Sequence, residues 1–515
     1  MKITNAAGRS WHFSHAIGRN TAEHNPGNPD LGDTGGFGSP YSLTIFDENT
    51  FFVVSRGWDT KLPEQIHDSY KRIGKVGLDQ HHFGDFARNE FTWPSGITKS
   101  KNGTIFIIKK AKIYEKKLGH TLNHIAVPDR GFGLGYALGG FYHPRSQLAD
   151  KANYIQMLNH YVQSLEFWEN EMREKKISLC LFPLTIASYV AGSLKIPCRW
   201  MARSRFKNYH YWSPNIFWEN PKVQKIYLSS KNKNLKKTKL VETYYSEKSR
   251  RDRRLQKSKF FPAIVTILRE IIMRSYWLLR GYEKGKEGYY LKDNIRYIYQ
   301  RWSHGRQATG KYALKLKDLE KKPFVFFPLT TEPEINLQQR SPEYFYQLST
   351  IAALSRDLPA GVILAVKEHI SAVGRRPRNF YDQIKRFKNV VMIDFVESGI
   401  DVIKKSKAVA TIVGTAGLEA IILGKPVILF GQHNSFDIVS HAKVVRDERK
   451  LKKYLSDVLS KPLDTKKAKF EGEKYLSALI ASSFDFGNYD YIDYKKYNKK
   501  IVKSAHKSLI ESLVS

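Results

Sequence analysis

The stretch Ala408 to Gly431, A-V-A-T-I-V-G-T-A-G-L-E-A-I-I-L-G-K-P-V-I-L-F-G, constrains the fold of this chain more than any other. An apolar run leads into Gly-Thr-Ala-Gly, then a short amphipathic segment, then Gly-Lys-Pro and a second apolar run. That order predicts strand, loop, helix, strand. A parallel strand covered on both faces needs a continuous apolar run, which both flanks supply. Gly414 and Gly417 let the backbone turn tightly and come close to a ligand. A helix starting near Thr415 presents unpaired amides and the positive end of its dipole, and such an end takes phosphate. Glu419, one turn in, is placed to reach sugar hydroxyls. A plain structural βαβ unit fits the same string, so the choice rests on the rest of the chain.

From Pro323 onward strands and helices alternate. Phe324 to Phe327 reads as a strand, Ser341 to Arg356 as a helix capped by Ser341, and Gly361 to Val366 as a strand. Tyr381 to Phe387, Gly399 to Lys405, Ser435 to His441 and Leu451 to Leu459 read as helices. Val390 to Ile393 and Val409 to Val413 read as strands. Five parallel strands alternating with helices predict a doubly wound α/β domain, whose ligands bind at the carboxyl ends of the strands. Three such ends carry reactive residues: Thr330 to Glu334, Lys367 to His369, and Gly414 to Gly417. Lys367 and His369 supply positive charge, the Gly-Thr-Ala-Gly loop supplies backbone amides, and Glu332 or Glu334 is a candidate general base. Plainer roles are open to each: a surface ion pair for Lys367 and Glu368, a capping His369, a helix-start charge at Glu334.

Upstream the pattern differs. Asn153 begins a helical stripe of Tyr154, Met157, Leu158, Tyr161, Leu165 and Trp168. Ile177 to Phe182, Thr185 to Gly192 and Ile196 to Trp200 then read as strand, helix, strand. The first 145 residues or so are rich in Gly, Phe and His. They hold a repeat at an offset of 54 residues: F-G-S-P with the strand T-F-F-V-V at Thr50, and F-T-W-P with the strand T-I-F-I-I at Thr104, the latter entered by an Asn102-Gly103 hairpin turn. A weaker copy begins at Phe141. Repeats of this kind predict propeller blades.

The chain carries 85 Lys and Arg against 49 Asp and Glu, a formal charge of +36. That excess favours an anionic partner, although lysine is spread widely enough to be a compositional bias. Residues 222–259 hold fourteen of these cations against three acids, and the apolar helix expected at Phe260 to Leu279 follows them. Such a pair can lie on an anionic membrane or can be a solvated insertion with an interdomain helix. No nucleic-acid motif accompanies the charge. Two cysteines, Cys180 and Cys198, make no disulfide framework, and no Cys/His or Asp-x-Asp spacing implies a metal. Met1 to Asn20 lacks the apolar core of a signal peptide, and no run reaches the ~20 residues of a membrane span. A cytoplasmic chain, soluble or peripheral, is expected.

Two resemblances rest on these residues. G-F-G-S-P-Y-S-L, K-R-I-G-K-V-G at Lys71 and F-T-W-P-S-G-I-T, with W-H-F-S-H-A-I-G-R at Trp11, resemble NHL-type β-propeller repeats. L-T-T-E-P-E, L-P-A-G-V-I-L-A-V-K-E-H, N-V-V-M-I-D and the string at Ala408 resemble capsular polysaccharide biosynthesis glycosyltransferases, the group that includes the bacterial β-Kdo transferases. N-Y-I-Q-M-L-N-H-Y and S-R-F-K-N-Y-H-Y-W-S resemble their linking part, so the likeness spans about 150 to 460. It implies a GT-B-like doubly wound sheet as donor domain, a partial second Rossmann-like domain, and an N-terminal all-β segment. The expected divisions are 1–145, 146–220, 221–320 with the basic insertion, and 321–515. It implies transfer from a nucleotide sugar, CMP-linked and Kdo-like, to a polysaccharide or glycolipid acceptor, with no further cofactor, on the inner face of a bacterial inner membrane. The donor site carries over to Lys367, Gly414, Thr415, Ala416, Gly417 and Glu419, and the catalytic groups to Glu332, Glu334 and His369. Ile370 stands where the family has proline. The early strands of the family's acceptor domain are replaced here by the repeats. Two other functions fit the same residues: a non-catalytic membrane-surface scaffold with a relict donor domain, and a nucleotide-sugar 2-epimerase.

Overall fold

The computed structural model describes residues 103–129, 154–230, 256, 258–281, 291–331, 335–344, 346–370, 372–377, 379–461, 463–487 and 499–514, with the backbone of four strands before them. Those strands are two antiparallel pairs, β1 (Ile3–Ala6) with β2 (Arg9–His12) and β3 (Pro40–Asp47) with β4 (Thr50–Ser55). Apart from Trp11, His12 and the strands at 40–55, the repeat strings before residue 100 and the copy at Phe141 lie outside the described residues.

The second repeat copy departs from expectation. Gly103–Leu118 is an α-helix, α1, so the strand at Thr104 to Ile108 and its hairpin turn are replaced. The β-branched run has high strand propensity, but Ile107, Ala111, Tyr114 and Leu118 recur at helical spacing. They pack in one cluster with the short α2 (Leu122–Ala126) and the long α3 (Tyr154–Glu174). Lys110 pairs with Glu166 and Lys117 with Glu169 along that seam. Met157, Leu158, Tyr161 and Leu165 of the expected stripe are buried.

A small sheet follows. β5 (Cys180–Leu181), α4 (Thr185–Ser193) and β6 (Cys198–Arg203) form the βαβ unit read from the sequence, with Cys180 and Cys198 in register as free thiols. β7 (Tyr209–Ser213) then pairs antiparallel to β6. α5 (Pro221–Ser229) starts at Asn220, whose side chain accepts the amide of Val223 at 3.2 Å. Two helices come next, α6 (Phe260–Leu279) and α7 (Leu291–Gln307), packed on one another.

The large sheet is built from β8 (Phe324–Pro328), α8 (Ile335–Arg340), α9 (Gln347–Asp357), β9 (Ile363–Lys367), α10 (Phe380–Arg386), β10 (Val390–Ile393), α11 (Gly399–Lys405), β11 (Ala408–Thr411), α12 (Thr415–Ile422), β12 (Val427–Leu429) and β13 (Ala442–Val444). Its strand order is β10-β9-β8-β11-β12-β13, all parallel. Among the described residues it has six strands, one more than expected. Phe324 and Phe326 point into one core layer, Val325 and Phe327 into the other, which is the alternation of a strand buried on both faces.

Two helix expectations are corrected. Pro342–Tyr344 is a 3-10 turn, and the α-helix starts at Gln347 rather than Ser341. Ser341 is fully buried, and its hydroxyl bonds the carbonyl of Arg340 at 2.6 Å instead of capping. Ser435 to His441 is a series of turns. Its groups bond sideways: Ser440 N–H to Glu471 at 3.2 Å, and the His441 ring to the Ile421 carbonyl at 3.0 Å. α13 (Leu451–Ser460) closes the large sheet. α14 (Thr465–Ala481) crosses back to pack on α5, and β14 (Phe484–Asp485) adds an antiparallel edge to β7 of the small sheet. α15 (Lys499–Val514) lies along β7 and β14. The two sheets therefore share a core: Phe206, Val223 and Tyr227 cluster with Leu418, Tyr475 and Leu479.

Candidate functional site

The strand order reverses direction between β8 and β11, the two central neighbours that start the two halves of the sheet. Loops leaving their carboxyl ends turn to opposite faces, which opens a crevice there. At the β8 tip, the Thr330 amide donates to Gln347 Oε1 at 2.6 Å, and Gln347 Nε2 returns a bond to the Thr330 carbonyl at 2.8 Å. Thr331 Oγ1 meets His369 Nδ1 at 3.1 Å, so the β8 and β9 tips are joined. Glu332 and Glu334 lie outside the described residues.

The β9 tip is pinned from below. Glu368 is fully buried and accepts Arg376 Nε and Nη2, each at 2.9 Å, Tyr381 OH at 2.8 Å, and the His369 amide at 2.6 Å. Burial alone pushes its carboxyl up. The Arg376 charge and these donors outweigh burial and hold it below the usual carboxylate range. Glu368 is thus no surface partner of Lys367. Lys367 and His369 sit half-buried on either side of it.

At the β11 tip, the Gly414 amide donates to Thr411 Oγ1 at 3.1 Å, and Gly414 caps α12. The first-turn amides at Thr415 and Ala416 have no intrahelical carbonyl to bind. Gly417 is required by close approach: a Cβ there would lie 2.8 Å from Thr411 Cγ2 and 3.1 Å from the Phe436 ring. Glu419 is buried one turn into α12.

A further set of side chains converges on the same tip from the small sheet and from the β12 tip. Arg205 donates to the Val413 carbonyl, and Arg340 to the His433 carbonyl. Asn434 Nδ2 spans the carbonyls of Ile412, at 3.1 Å, and Gly431, at 2.7 Å. His433 Nδ1 contacts Glu219 Oε1 at 2.7 Å, while the ring stacks on Phe217 at 3.9 Å between centroids. Asn215 Nδ2 donates to the other Glu219 oxygen at 2.7 Å. The His433 hydrogen bond, then Asn215 and the Arg340 charge, hold the Glu219 carboxyl low against the effect of its burial. A cavity of about 20 Å³ lies among Arg203, Arg205, Tyr211, Trp218, Arg340 and Leu418. Among the described residues three arginines and no acid line it, so the local potential is positive. Arg205 and Trp218 hold left-handed φ values of 68° and 56°, strain that non-glycine residues retain where a site needs them.

The structure therefore brings Thr331 to His369, and the Gly414–Gly417 turn to Arg205 and Arg340. It does not place Lys367 or His369 in the arginine-lined cavity, because β8 stands between β9 and β11, which puts their tips about 10 Å apart. Arg203, Arg205, Arg340, Glu219 and His433 were not among the residues singled out from sequence. One signal was present: Gly431 to Asn434 follows an apolar strand, so it is a fourth carboxyl-end loop like the three above.

Residues 240–448, which contain all six strands of the large sheet, match the family described as "Capsule polysaccharide biosynthesis protein". Among solved structures the chain is similar to Thermosulfurimonas dismutans KpsC, beta Kdo 2,4 transferase, at 13% identity, covering 57% of this chain and 78% of that one with a TM-score of 0.29. The beta Kdo 2,7 transferase of KpsC from the same organism gives 13% identity, 57% and 80% coverage, and 0.29. A putative UDP-N-acetylglucosamine 2-epimerase from Listeria monocytogenes gives 9% identity, 64% and 77% coverage, and 0.25. No curated protein matches the chain.

Proposed function

We propose that this chain is a glycosyltransferase of capsule or surface polysaccharide synthesis that takes its sugar from a nucleotide, CMP-linked and Kdo-like. The observation that carries this is the convergence of the α12 N-terminus with Arg205 and Arg340 at the point where the large sheet reverses. The match of residues 240–448 to a capsule biosynthesis family supports it. The leaving phosphate would seat on the amides of Thr415 and Ala416, with the arginines offsetting charge as the bond from sugar to phosphate breaks, while Lys367 and His369 would contact the rest of the donor from the β9 tip. Glu419, behind that turn, carries over as the ribose contact. The acceptor hydroxyl oxygen bonds to the anomeric carbon and gives its proton to a base. Glu332 and Glu334 are candidates at the β8 tip. The described geometry favours His433, since a histidine held by a carboxylate through one nitrogen keeps the other for proton transfer.

Thermal unfolding of the purified chain with CMP-, UDP- and GDP-sugars tests this. One nucleotide class should raise the transition, since a ligand at 100 times its Kd adds about 2.7 kcal/mol. Arg205→Ala should abolish that rise, measured against the variant's own unliganded transition, and Lys367→Ala should reduce it. His433→Gln should keep the rise and lose transfer to acceptor. A chain that no nucleotide sugar stabilises is not a transferase of this kind. Release of free nucleotide with an altered sugar and no acceptor would make it an epimerase.

A further inference from the structure

Helix α6 is oriented with its apolar side outward. The helix packs on α7, and its charged pair, Arg274 and Glu270 at 3.8 Å, shares a side with buried Ala263 and half-buried Ile267 and Trp277. The opposite side exposes Phe261 at 77%, Val265 at 64%, Ile272 at 66% and Leu279 at 88%, a stripe at helical spacing, with Ile264 and Leu268 beside it. A continuous apolar face of this kind on a protein surface marks a contact with another apolar phase. Three observations select a lipid surface as that phase. Glu270, the only acid of the helix, is half-buried and paired with Arg274, while Lys259, Arg269 and Arg280 are exposed at the ends and flank of the stripe. In the sequence, residues 231–258, which precede the helix, hold eleven further Lys and Arg against three acids. The N-terminal end of the helix carries an aromatic group, Phe260 against Trp302 at 5.6 Å and Tyr299 against Trp302 at 5.5 Å, the residue types that settle at the boundary of headgroups and acyl chains. No described helix is long and apolar enough to cross a membrane, and a helix with one apolar face and flanking cations suits the plane of a lipid surface.

We infer that α6 docks the protein on a bilayer rich in anionic headgroups, with Phe261, Val265, Ile272 and Leu279 in the acyl boundary and the flanking cations on the phosphates. The inference is independent of the transferase proposal, because vesicle binding needs no nucleotide.

Flotation of the full chain with vesicles of phosphatidylglycerol and phosphatidylcholine, and with phosphatidylcholine alone, provides the test. The wild type should float with the anionic vesicles and bind at least tenfold less to neutral ones. Phe261→Glu with Ile272→Glu should reduce binding to the anionic vesicles at least tenfold without moving the thermal transition, since both side chains are exposed. Arg269→Glu with Arg280→Glu should weaken binding at low salt and matter less as salt rises. Equal flotation of the double glutamate variant overturns the inference. So does sedimentation showing that the same variant splits a dimer into monomers while vesicle binding is unchanged, which would make the face a contact between two copies.

Discussion

Glu368 shows how much of the candidate site one buried charge can organise. It fixes the His369 amide, holds Arg376, and through Arg376 Nη2, which also donates to the Thr330 carbonyl at 2.6 Å, it ties the β9 tip to the β8 tip. Neither Glu368 nor Arg376 has any exposed side-chain surface, so the loss of one strands the other in a low-dielectric interior. Glu368→Ala should cost about 3–5 kcal/mol in urea unfolding, the range for breaking a buried ion pair. The double variant with Arg376→Ala should cost less than the two single losses together. A single loss below about 1 kcal/mol would show that the pair does not anchor the tip. In the sequence, Glu368 between Lys367 and His369 looks like one more member of a charged loop. Its partners lie 8 and 13 residues on, across a turn that no periodicity announces.

At the scale of elements, α12 and the strands around it were legible because each is buried on both faces, and continuous burial leaves a continuous apolar run in the sequence. The α1 helix was misread because its first residues are β-branched and aromatic, while the helical stripe that decides the matter emerges only when Lys109 to Leu118 are counted with them. β14 was not foreseen at all. It is two residues long and pairs with Tyr209 and His210, far away in sequence, so it leaves no local pattern. The seat of α12 depends on a similarly distant contact. Gly472, in the middle of α14, packs so closely that a Cβ would lie 2.1 Å from the Ile421 carbonyl oxygen and 2.8 Å from Ile422 Cα, both backbone atoms of α12. An added methyl there cannot be absorbed by a rotamer change and must push the helices apart. Gly472→Ala should therefore cost about 1–3 kcal/mol. It should also weaken any ligand held at the α12 N-terminus more than an exposed substitution on the same helix, such as Lys466→Ala. Unaltered unfolding in Gly472→Ala would show that the two helices are free to separate.

At the scale of the whole molecule, acid stability follows from where the histidines are enclosed. His160 lies in α3 and His304 in α7, and each residue is 1% exposed. Burial pushes His160 down to about 3, and His304 to about 4. Around His304, the charges of Glu368 and Asp382 act upward and that of Arg376 downward, and the ring meets Tyr381 edge-on at 5.0 Å. Both folded values lie below the ordinary value of 6.5, so the unfolded chain binds more protons as soon as the pH drops below about 6.5. The stability they contribute is complete above that point and falls steadily toward pH 4, by about 2 kcal/mol for each ring at pH 5. Glu368 acts in a lower window. Its depressed carboxyl stabilises the fold above the ordinary carboxylate value, and that contribution is lost only as pH falls through the folded value. The loss of stability on acidification should therefore begin near pH 6.5. His304→Phe removes one titrating group from a site that already tolerates an aromatic ring, so the slope of stability against pH between 6 and 5 should flatten by up to about 1.4 kcal/mol per pH unit. Urea unfolding of both proteins at pH 7.5, 6 and 5 reads this directly. Equal slopes in wild type and variant would mean that His304 takes up its proton in the folded state without penalty.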